Sequence, residues 1–193
     1  MRGRDPDPPT PADRELILSA RSGSQEAFDA LVGRHGGMVI RLARSILAHS
    51  EDAEDVAQEV FLRFYRSLDR VDPSRPVEPW LVRITLNAAR SHASRRPERR
   101  EAPLPDASSE LPGGDDAAAT VHASELRSAL SDALLQLGER EREVFVLRDL
   151  QQISVPTIAE ALGITQITVR RQSSVARRKI TAWFREHRPE LLD

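Results

Sequence analysis

Cysteine is absent from this 193-residue sequence, and aromatic residues are scarce: five Phe, two Trp and one Tyr. Without cysteine there are no disulfides, no thiol catalysis and no cysteine-ligated zinc site. The longest apolar run, Val144–Leu147, has four residues, whereas a membrane-spanning helix needs about 20. No apolar stretch follows the first charged residues, so a signal peptide is not expected. These absences predict a soluble, cytoplasmic protein without direct membrane insertion.

Strand-forming residues are also few. There are 13 Val and 9 Ile, against 23 Ala, 21 Leu and 27 Arg. This composition favours helices over a sheet. We therefore predict an all-α protein.

Charge is balanced over the whole chain but separated along it. The totals are 28 basic and 30 acidic residues, a net charge of −2. Residues 61–100 carry ten arginines and four acids, and residues 164–188 carry seven bases and one acid, so each stretch has a net charge of +6. Acidic stretches at 51–60 and 101–119 separate or flank them. Two basic surfaces are typical of contact with nucleic acid.

Proline and glycine divide the chain into four parts. Residues 1–12 contain four prolines and read as a disordered arm, and residues 13–96 are helical in pattern. Residues 97–122, with four prolines, a Gly-Gly pair and an acidic run, predict a flexible acidic linker. Helical periodicity returns over 123–188. We expect two small, independently folded helical domains joined by this linker.

In the first half, local signals place the helices. The pair Gly36-Gly37 predicts a break between a helix capped by Ser24 and a second helix over 38–48. Asp52 is typical of a helix N-cap, with Asp55 at the third helical position, a variant of the capping box. The helix that follows has apolar residues at steps of three and four up to Leu68, which predicts a buried stripe.

The segment from Ser154 to Lys179 predicts a helix-turn-helix. Ser154 and Thr165 are N-cap residues, and Gly163 suits a turn with positive φ. Any helical hairpin with a glycine corner has a similar pattern. The apolar residues between the helices and the seven following bases favour DNA binding.

Rotation of the last helix by 100° per residue separates its faces. Val169, Ala176, Ile180 and Trp183 share the predicted buried face. Ser173 also falls there, where its hydroxyl could bond to the carbonyl of Val169. The opposite stripe can lie in a major groove with flanking bases near phosphates; the stripe is Ile167, Arg171, Ser174 and Arg178, and the flanking bases are Arg170, Arg177 and Lys179.

Two long motifs in this sequence resemble those of bacterial sigma factors. Residues 134–150, with 158–164 and 168–170, are similar to the fourth conserved region of the extracytoplasmic-function (ECF) group. Residues 52–68, Trp80–Asn87 and Arg95-Arg96 resemble the second conserved region. The resemblance covers about 165 residues and implies that 13–96 binds core RNA polymerase and the minus-ten promoter element. It implies that 123–188 binds the minus-thirty-five element.

For the helix over 53–68, the outward face carries Asp55, Glu59, Leu62 and Arg66. A solvated acidic face is the simpler interpretation, but an exposed leucine among carboxylates indicates a docking surface. In the family this helix contacts the beta-prime clamp of the polymerase. The resemblance therefore implies polymerase-binding roles for Asp52, Asp55, Gln58, Glu59, Leu62 and Arg66.

In the helix over 77–96, the spacing of Trp80, Leu81, Ile84 and Ala88 predicts that they face inward. Its polar stripe would, by the resemblance, bind the minus-ten element and hold a flipped base; the residues are Arg83, Asn87, Arg90 and Ser94. The linker, by the same resemblance, threads through the polymerase, although a plain flexible tether remains open. The resemblance further assigns minus-thirty-five contacts to Ile167, Thr168, Arg170, Arg171, Gln172, Ser174, Arg177, Arg178 and Lys179.

The expected function is promoter-specific transcription initiation, with a stress or envelope-response regulon. The implied partners are core RNA polymerase (beta-prime clamp and beta flap), promoter DNA and an anti-sigma factor. The alternative is a helix-turn-helix regulator with an N-terminal sensing domain. An adaptor that binds only proteins fits the two basic surfaces less well. The sequence lacks the usual enzyme motifs, and its five histidines lack ligand-like spacing. We therefore expect no catalysis, cofactor, metal or small-molecule substrate.

Overall fold

In the computed structural model of this chain, helices account for the regular structure of the residues that are described. The structure describes residues 11–47, 49–95 and 117–191, without the side chains of 11–12 and 117–123. Most of the predicted arm lies outside the described residues. Residues 97–116 of the predicted linker also lie outside them. None of the helices in the described part is long and apolar enough to cross a membrane.

In the described residues, four α-helices form the first domain and four form the second. In the first, α1–α4 are Pro11–Arg21, Gln25–Arg44, Ser50–Ser67 and Glu78–Arg95, with a 3-10 turn at Leu68–Arg70. In the second, α5–α8 are Ala117–Leu135, Glu139–Phe145, Val155–Leu162 and Gln166–His187, with a π-helical turn at Val146–Leu150 and a 3-10 turn at Pro189–Leu191. Helix α5 begins at Ala117, so residues 117–122, which were predicted to be linker, belong to a helix.

Each domain has its own apolar core. In the first domain, α3 buries the predicted stripe, including Val56, Val60 and Phe64, against Leu31 of α2 and Leu81 of α4. Trp80, predicted to face inward, is partly buried, and its ring lies 5.4 Å from that of Phe64. In the second domain, α5 and α8 share a cluster formed by Ala129, Ala133, Leu137, Phe145, Ala176, Ile180 and Phe184.

The predicted break at Gly36-Gly37 is wrong, because α2 continues through both glycines. Glycine is a poor helix former but is compatible with helical φ and ψ. Leu31 before the pair and Val39 and Leu42 after it are fully buried. Burial of these residues on one continuous helix outweighs the local preference of the glycines.

The predicted cap at Asp52 is also wrong. Helix α3 begins three residues earlier than predicted, at Ser50, and its N-cap position is His49, which makes no side-chain cap bond. Asp52 lies inside the first turn and is only 6% exposed. Its carboxylate lies 3.8 Å from the imidazole of His92 on α4.

The helix-turn-helix forms as predicted. Ser154 Oγ accepts a hydrogen bond from the backbone N–H of Thr157, and Pro156 occupies the first turn of α7. Helix α7 ends at Leu162, and the C-cap position is Gly163, whose φ of +64° suits glycine. Thr165 Oγ1 then accepts from the N–H of Thr168 and caps α8.

The two domains also pack against each other, through α4 and α7. The sequence pattern did not predict this contact. One apolar cluster contains buried residues from both domains; they are Leu42, Val82 and Leu86 from the first, and Val144, Leu147, Ile153, Val155, Ile158, Ala159, Ala161 and Val169 from the second.

Candidate functional site

Helix α8 presents the predicted polar stripe to solvent. Val169, Ala176 and Ile180 are buried, so the opposite face points away from the domain. Ile167 is 77% exposed, so its apolar side chain is available for contact with a partner. All four stripe residues are exposed: Ile167, Arg171, Ser174 and Arg178.

The bases that flank the stripe have acidic or polar partners. Arg177 Nε donates to Asp149 at 2.6 Å, and Lys179 Nζ donates to Glu141 at 2.7 Å. Arg170 Nη2 donates to the side chain of Gln166 at 3.2 Å. These bonds fix the cations at the sides of α8. The hydrogen bond from Lys179 is the main reason that the pKa of Glu141 lies below its ordinary value, so this carboxylate remains ionised.

Ser173 is buried, as predicted, but its partner differs. Its hydroxyl lies 3.2 Å from Asp149 Oδ2 rather than on the carbonyl of Val169. Asp149 therefore links Ser173 and Arg177 of α8 to the π-helical turn. Trp183 also differs from its prediction: it is half-buried, and Phe184 takes the buried position.

A basic hollow beside the stripe includes one residue that sequence reasoning missed. It is lined by Arg148, Arg170, Ser173, Ser174, Arg177 and Arg178. Arg148 comes from the π-helical turn, not from α8. No local pattern marks it, because only the packing of α6 on α8 brings it there. Four guanidinium groups around one hollow suit a phosphate.

Helix α3 presents an outward face of charged and amide side chains around one exposed leucine, Leu62. Asp55, Gln58 and Arg66 are exposed, and Leu62 is 50% exposed. Glu59 is half-buried and bonds to Arg63 one turn later. Asp52 is the exception among the predicted contacts, because it is buried at the α3–α4 contact rather than on this face.

Beside this face lies an apolar groove between α2 and α3. Its lining includes Phe28, Val32, Phe61, Leu62 and Tyr65. Tyr65 is 50% exposed, and its ring meets the ring of Phe28 edge-on at 5.0 Å. The sequence reasoning did not single out Tyr65, although its position three residues after Leu62 places it on the same side of the helix.

Three potential metal ligands meet at the start of α3. Side-chain ligand atoms of Asp52, Asp55 and His92 lie within 4.8 Å of one another. A structural zinc site has four protein ligands. We assign no metal to this group.

Helix α4 carries the remaining predicted residues. Arg83, Asn87, Arg90 and Ser94 are all exposed along one stripe. Arg83 lines a hollow together with Arg70, Arg75 and Trp80 of the first domain, and Glu160 of α7 also lines it. Arg90 forms an ion pair with Glu143 of α6. The second domain therefore engages part of this stripe.

An exposed basic recognition helix within a helix-turn-helix defines a DNA-binding protein. Family comparison then narrows the class. The family model described as Sigma-70 region 2 matches residues 31–99, and that described as Sigma-70, region 4 matches residues 127–180. The first range covers most of α2 and all of α3 and α4, and the second lies within the second domain.

Whole-chain comparisons agree with these matches. The RNA polymerase sigma factor CnrH of Cupriavidus metallidurans is 36% identical over 183 residues, covering 90% of this chain and 95% of CnrH. The ECF RNA polymerase sigma factor SigM of Mycobacterium tuberculosis is 32% identical, with 88% and 83% of the two chains covered. A solved structure of CnrH with the cytosolic domain of CnrY covers 91% of this chain and 99% of that chain, with 32% identity and a TM-score of 0.70.

The chain belongs to the ECF sigma factors. It is therefore a sigma factor that directs promoter-specific transcription initiation. This assignment replaces the alternative of a regulator with an N-terminal sensing domain. It also agrees with the predicted all-α fold of two domains.

Proposed function

We propose that each of the three exposed faces makes one contact of the initiation complex. The α8 stripe reads the minus-thirty-five element in the major groove, and the α4 stripe binds the minus-ten element. The α3 face binds the beta-prime clamp of core RNA polymerase, and the second domain meets the beta flap. The observation that carries the proposal is the exposed α8 stripe, because its arginines and Ile167 have the chemistry that reads base edges.

On the α3 face, Leu62 is the central contact of the proposal. An apolar side chain that is half-exposed among carboxylates gains most when a partner removes it from water. Asp55, Gln58, Glu59 and Arg66 surround it as a polar rim. Asp52 is a positioning residue instead of a contact. Its buried carboxylate lies next to His92 and orients the start of α3.

Solved structures of similar proteins point to a regulatory partner for this chain. The solved CnrH structure contains the cytosolic domain of CnrY, and a second neighbour is a sigma factor with its anti-sigma factor NepR from Bartonella quintana. We propose that an anti-sigma factor likewise holds this chain in the cytoplasm, until a stress or envelope signal releases it. The chain acts by binding and performs no catalysis.

Run-off transcription tests the function. Core polymerase, the full chain and genomic fragments should together give discrete transcripts, and core polymerase alone should not. Transcripts that do not depend on the added chain would contradict the proposal.

The polymerase contact is tested with Glu59→Arg combined with Leu62→Ala. We expect retention on immobilised core polymerase to fall by about tenfold or more, as for loss of a contact at an interface centre. The matched control is Glu15→Arg with Leu18→Ala on α1, where Glu15 is exposed and Leu18 is 43% exposed. Equal retention of both folded double variants would place the clamp contact elsewhere.

A further inference from the structure

Arg21, at the end of α1, holds the chain at the point where α3 is followed by the loop before α4. Its Nε donates to the carbonyl of Leu68 at 2.7 Å, and its Nη2 donates to the carbonyl of Val71. The last carbonyls of a helix lack partners in the regular helix, so they are available to donors from other elements. Val71 is the first extended residue after the 3-10 turn. Arg21 therefore fixes the place at which the chain leaves the helix.

This contact depends on the shape of the guanidinium group as well as on its charge. Nε and Nη2 belong to one planar group, so a single arginine reaches two carbonyls at a fixed spacing. A lysine ammonium group has the same charge but lacks this fork. A positive charge near the end of a helix is favourable in both cases. Arg21→Lys therefore separates the role of the charge from the role of the two hydrogen bonds.

The loop that follows, residues 72–76, is ordered by its own side chains. Asp72 Oδ1 accepts from the backbone N–H of Ser74 at 2.9 Å and from its hydroxyl at 2.6 Å. The hydrogen bonds from Ser74 are the main reason that the pKa of Asp72 lies below its ordinary value, with a smaller contribution from the charge of Arg21. Val77, just after the loop, is buried. The loop is thus fixed at both ends, and Arg21 supplies the contact at its beginning.

The same loop forms part of the hollow on the first domain. The cationic and aromatic side chains of the hollow are Arg70, Arg75, Trp80 and Arg83. Proteins that bind single-stranded DNA combine arginines for the backbone with aromatic rings for the bases. A separate bond joins Arg75 Nη2 to Glu160 Oε1 at 2.5 Å, next in the chain to Ala159 and Ala161 of the cluster that the two domains share.

The position of the loop decides how well this hollow discriminates between ligands. Recognition of a base requires that the surrounding groups be held close to the productive geometry. If the loop moved freely, DNA binding would have to order it, and the lost entropy would weaken the affinity. A mobile loop would also adjust to several bases, which reduces the difference in affinity between them.

We propose that Arg21 is a positioning residue for the minus-ten contact: by holding the carbonyls of Leu68 and Val71, it keeps the loop in the shape that binds single-stranded promoter DNA. The described lining of the hollow does not include Arg21, so this residue acts through the loop. The inference rests on the proposed minus-ten role of the first domain. It gives α1 a part in promoter recognition in addition to its packing against α2.

The effect on the loop is tested by amide hydrogen exchange of the full chain, measured over residues 69–77. In Arg21→Lys and Arg21→Met, we expect exchange in this segment to become about tenfold faster, because a local contact that closes the segment is lost. Segments within α7 and α8 should exchange as in the wild type. The matched controls are Arg14→Lys and Arg14→Met, since Arg14 is an exposed arginine of the same helix.

The effect on recognition is tested with complexes of core polymerase and each full-length variant. The probe is a fluorescein-labelled single strand with the non-template minus-ten sequence of a promoter found by run-off transcription. Each of its bases is then replaced in turn, and the readout is the ratio of Kd for the replaced strand to Kd for the original strand. We expect Arg21→Lys to lower this ratio by about threefold or more. The ratio does not depend on the fraction of active complex, so a variant that is only less stable leaves it unchanged.

Faster exchange over 69–77 together with a lower Kd ratio in both Arg21 variants supports the inference. Wild-type exchange or wild-type ratios in Arg21→Lys would overturn it, because the charge alone would then be enough. Arg21→Lys also decides the test if Arg21→Met loses helicity by circular dichroism. A wild-type complex that does not distinguish the strands, or whose binding is unchanged in Asn87→Ala, would instead contradict the proposed minus-ten function, whatever the exchange shows.

Discussion

Arg171 and Lys179 lie on the same helix but in different surroundings. Arg171 is on the exposed stripe, whereas Lys179 is tied to Glu141 at the side. An arginine in the major groove reads guanine through two hydrogen bonds, worth about 1–3 kcal/mol of discrimination. A lysine at the side meets phosphate, which carries no sequence information.

We therefore expect Arg171→Ala to flatten base preference at one or two positions of the minus-thirty-five element. Lys179→Ala should weaken all sequences alike and lower the salt slope by about one. The measurement is promoter binding by the polymerase–sigma complex across single-base variants at several salt concentrations. The reverse pattern would show that α8 enters the groove by another face.

A second residue-scale feature is a partly buried histidine, His35, at the α1–α2 contact. Burial lowers the pKa of His35 below its ordinary value of 6.5, and Asp13, whose carboxylate lies 3.2 Å from His35 Nε2, offsets part of this effect. The folded chain thus prefers the neutral imidazole. Between the two pKa values the unfolded chain binds more protons, so stability is present above about pH 6.5 and is lost as the pH falls toward the folded pKa.

His35→Gln should reduce this acid-induced loss. The measurement is the free energy of unfolding by urea at about pH 7.5 and about pH 5.5. His187→Gln, at an exposed histidine, is the matched substitution. An identical pH dependence in wild type and His35→Gln would assign the acid sensitivity to other groups.

At the scale of elements, Gly36 and Gly163 differ in whether their backbone position requires glycine. Gly36 lies within α2, and nothing lies within 4 Å of a Cβ added there. Gly163 ends α7 with a φ of +64°. We expect Gly36→Ala to raise the free energy of unfolding by about 0.5–1 kcal/mol. Gly163→Ala should lower it by about 1 kcal/mol or more, because alanine resists the left-handed region.

Chemical denaturation of both variants checks these signs. A loss of stability in Gly36→Ala would mean that α2 bends at the glycine pair in solution. A neutral Gly163→Ala would mean that the turn before α8 can adopt another conformation.

Local signals explain which elements were predictable. Helices α7 and α8 were predicted because Ser154, Gly163 and Thr165 act within a few residues of their own positions. The continuity of α2 was not predictable, because it depends on burial of Val39 and Leu42 by distant elements. The same holds for Asp52, whose burial depends on the approach of α4.

In the candidate surfaces too, the sequence predicted what depends on local helix geometry and missed what depends on distant elements. Helical rotation was enough to place Ile167, Arg171 and Leu62 on exposed faces, as the structure shows. Arg148 and the carboxylates of Glu143 and Glu160 could not be assigned, because their partners are far away in the sequence. Val82 and Leu86 have no pattern that distinguishes a domain contact from an ordinary core.

For the whole molecule, the docked domains change the expected result of proteolysis. The sequence predicts an accessible segment at 97–122, with trypsin sites at Arg99 and Arg100. After a cut there, the α4–α7 contact and its ion pairs still join the halves. We expect the nicked chain to elute as one species in gel filtration at low salt.

High salt screens the ion pairs, and Glu143→Gln with Glu160→Gln removes them. Either change should increase the fraction of separated halves. Complete separation of the wild-type halves at low salt would show that the contact does not hold without the intact chain.

The two tryptophans, one in each domain, give this sigma factor a built-in optical signal. Trp80 of the first domain and Glu160 of the second line the same hollow. Trp183 is stacked on His187, with ring centroids 4.8 Å apart and planes 8° from parallel, away from the shared cluster. Separation of the two domains changes the surroundings of the Trp80 indole and leaves the surroundings of the Trp183 indole unchanged. In Trp183→Phe, a shift of the emission maximum on addition of core polymerase would thus report domain separation without any label, and Trp80→Phe would serve as the silent reference.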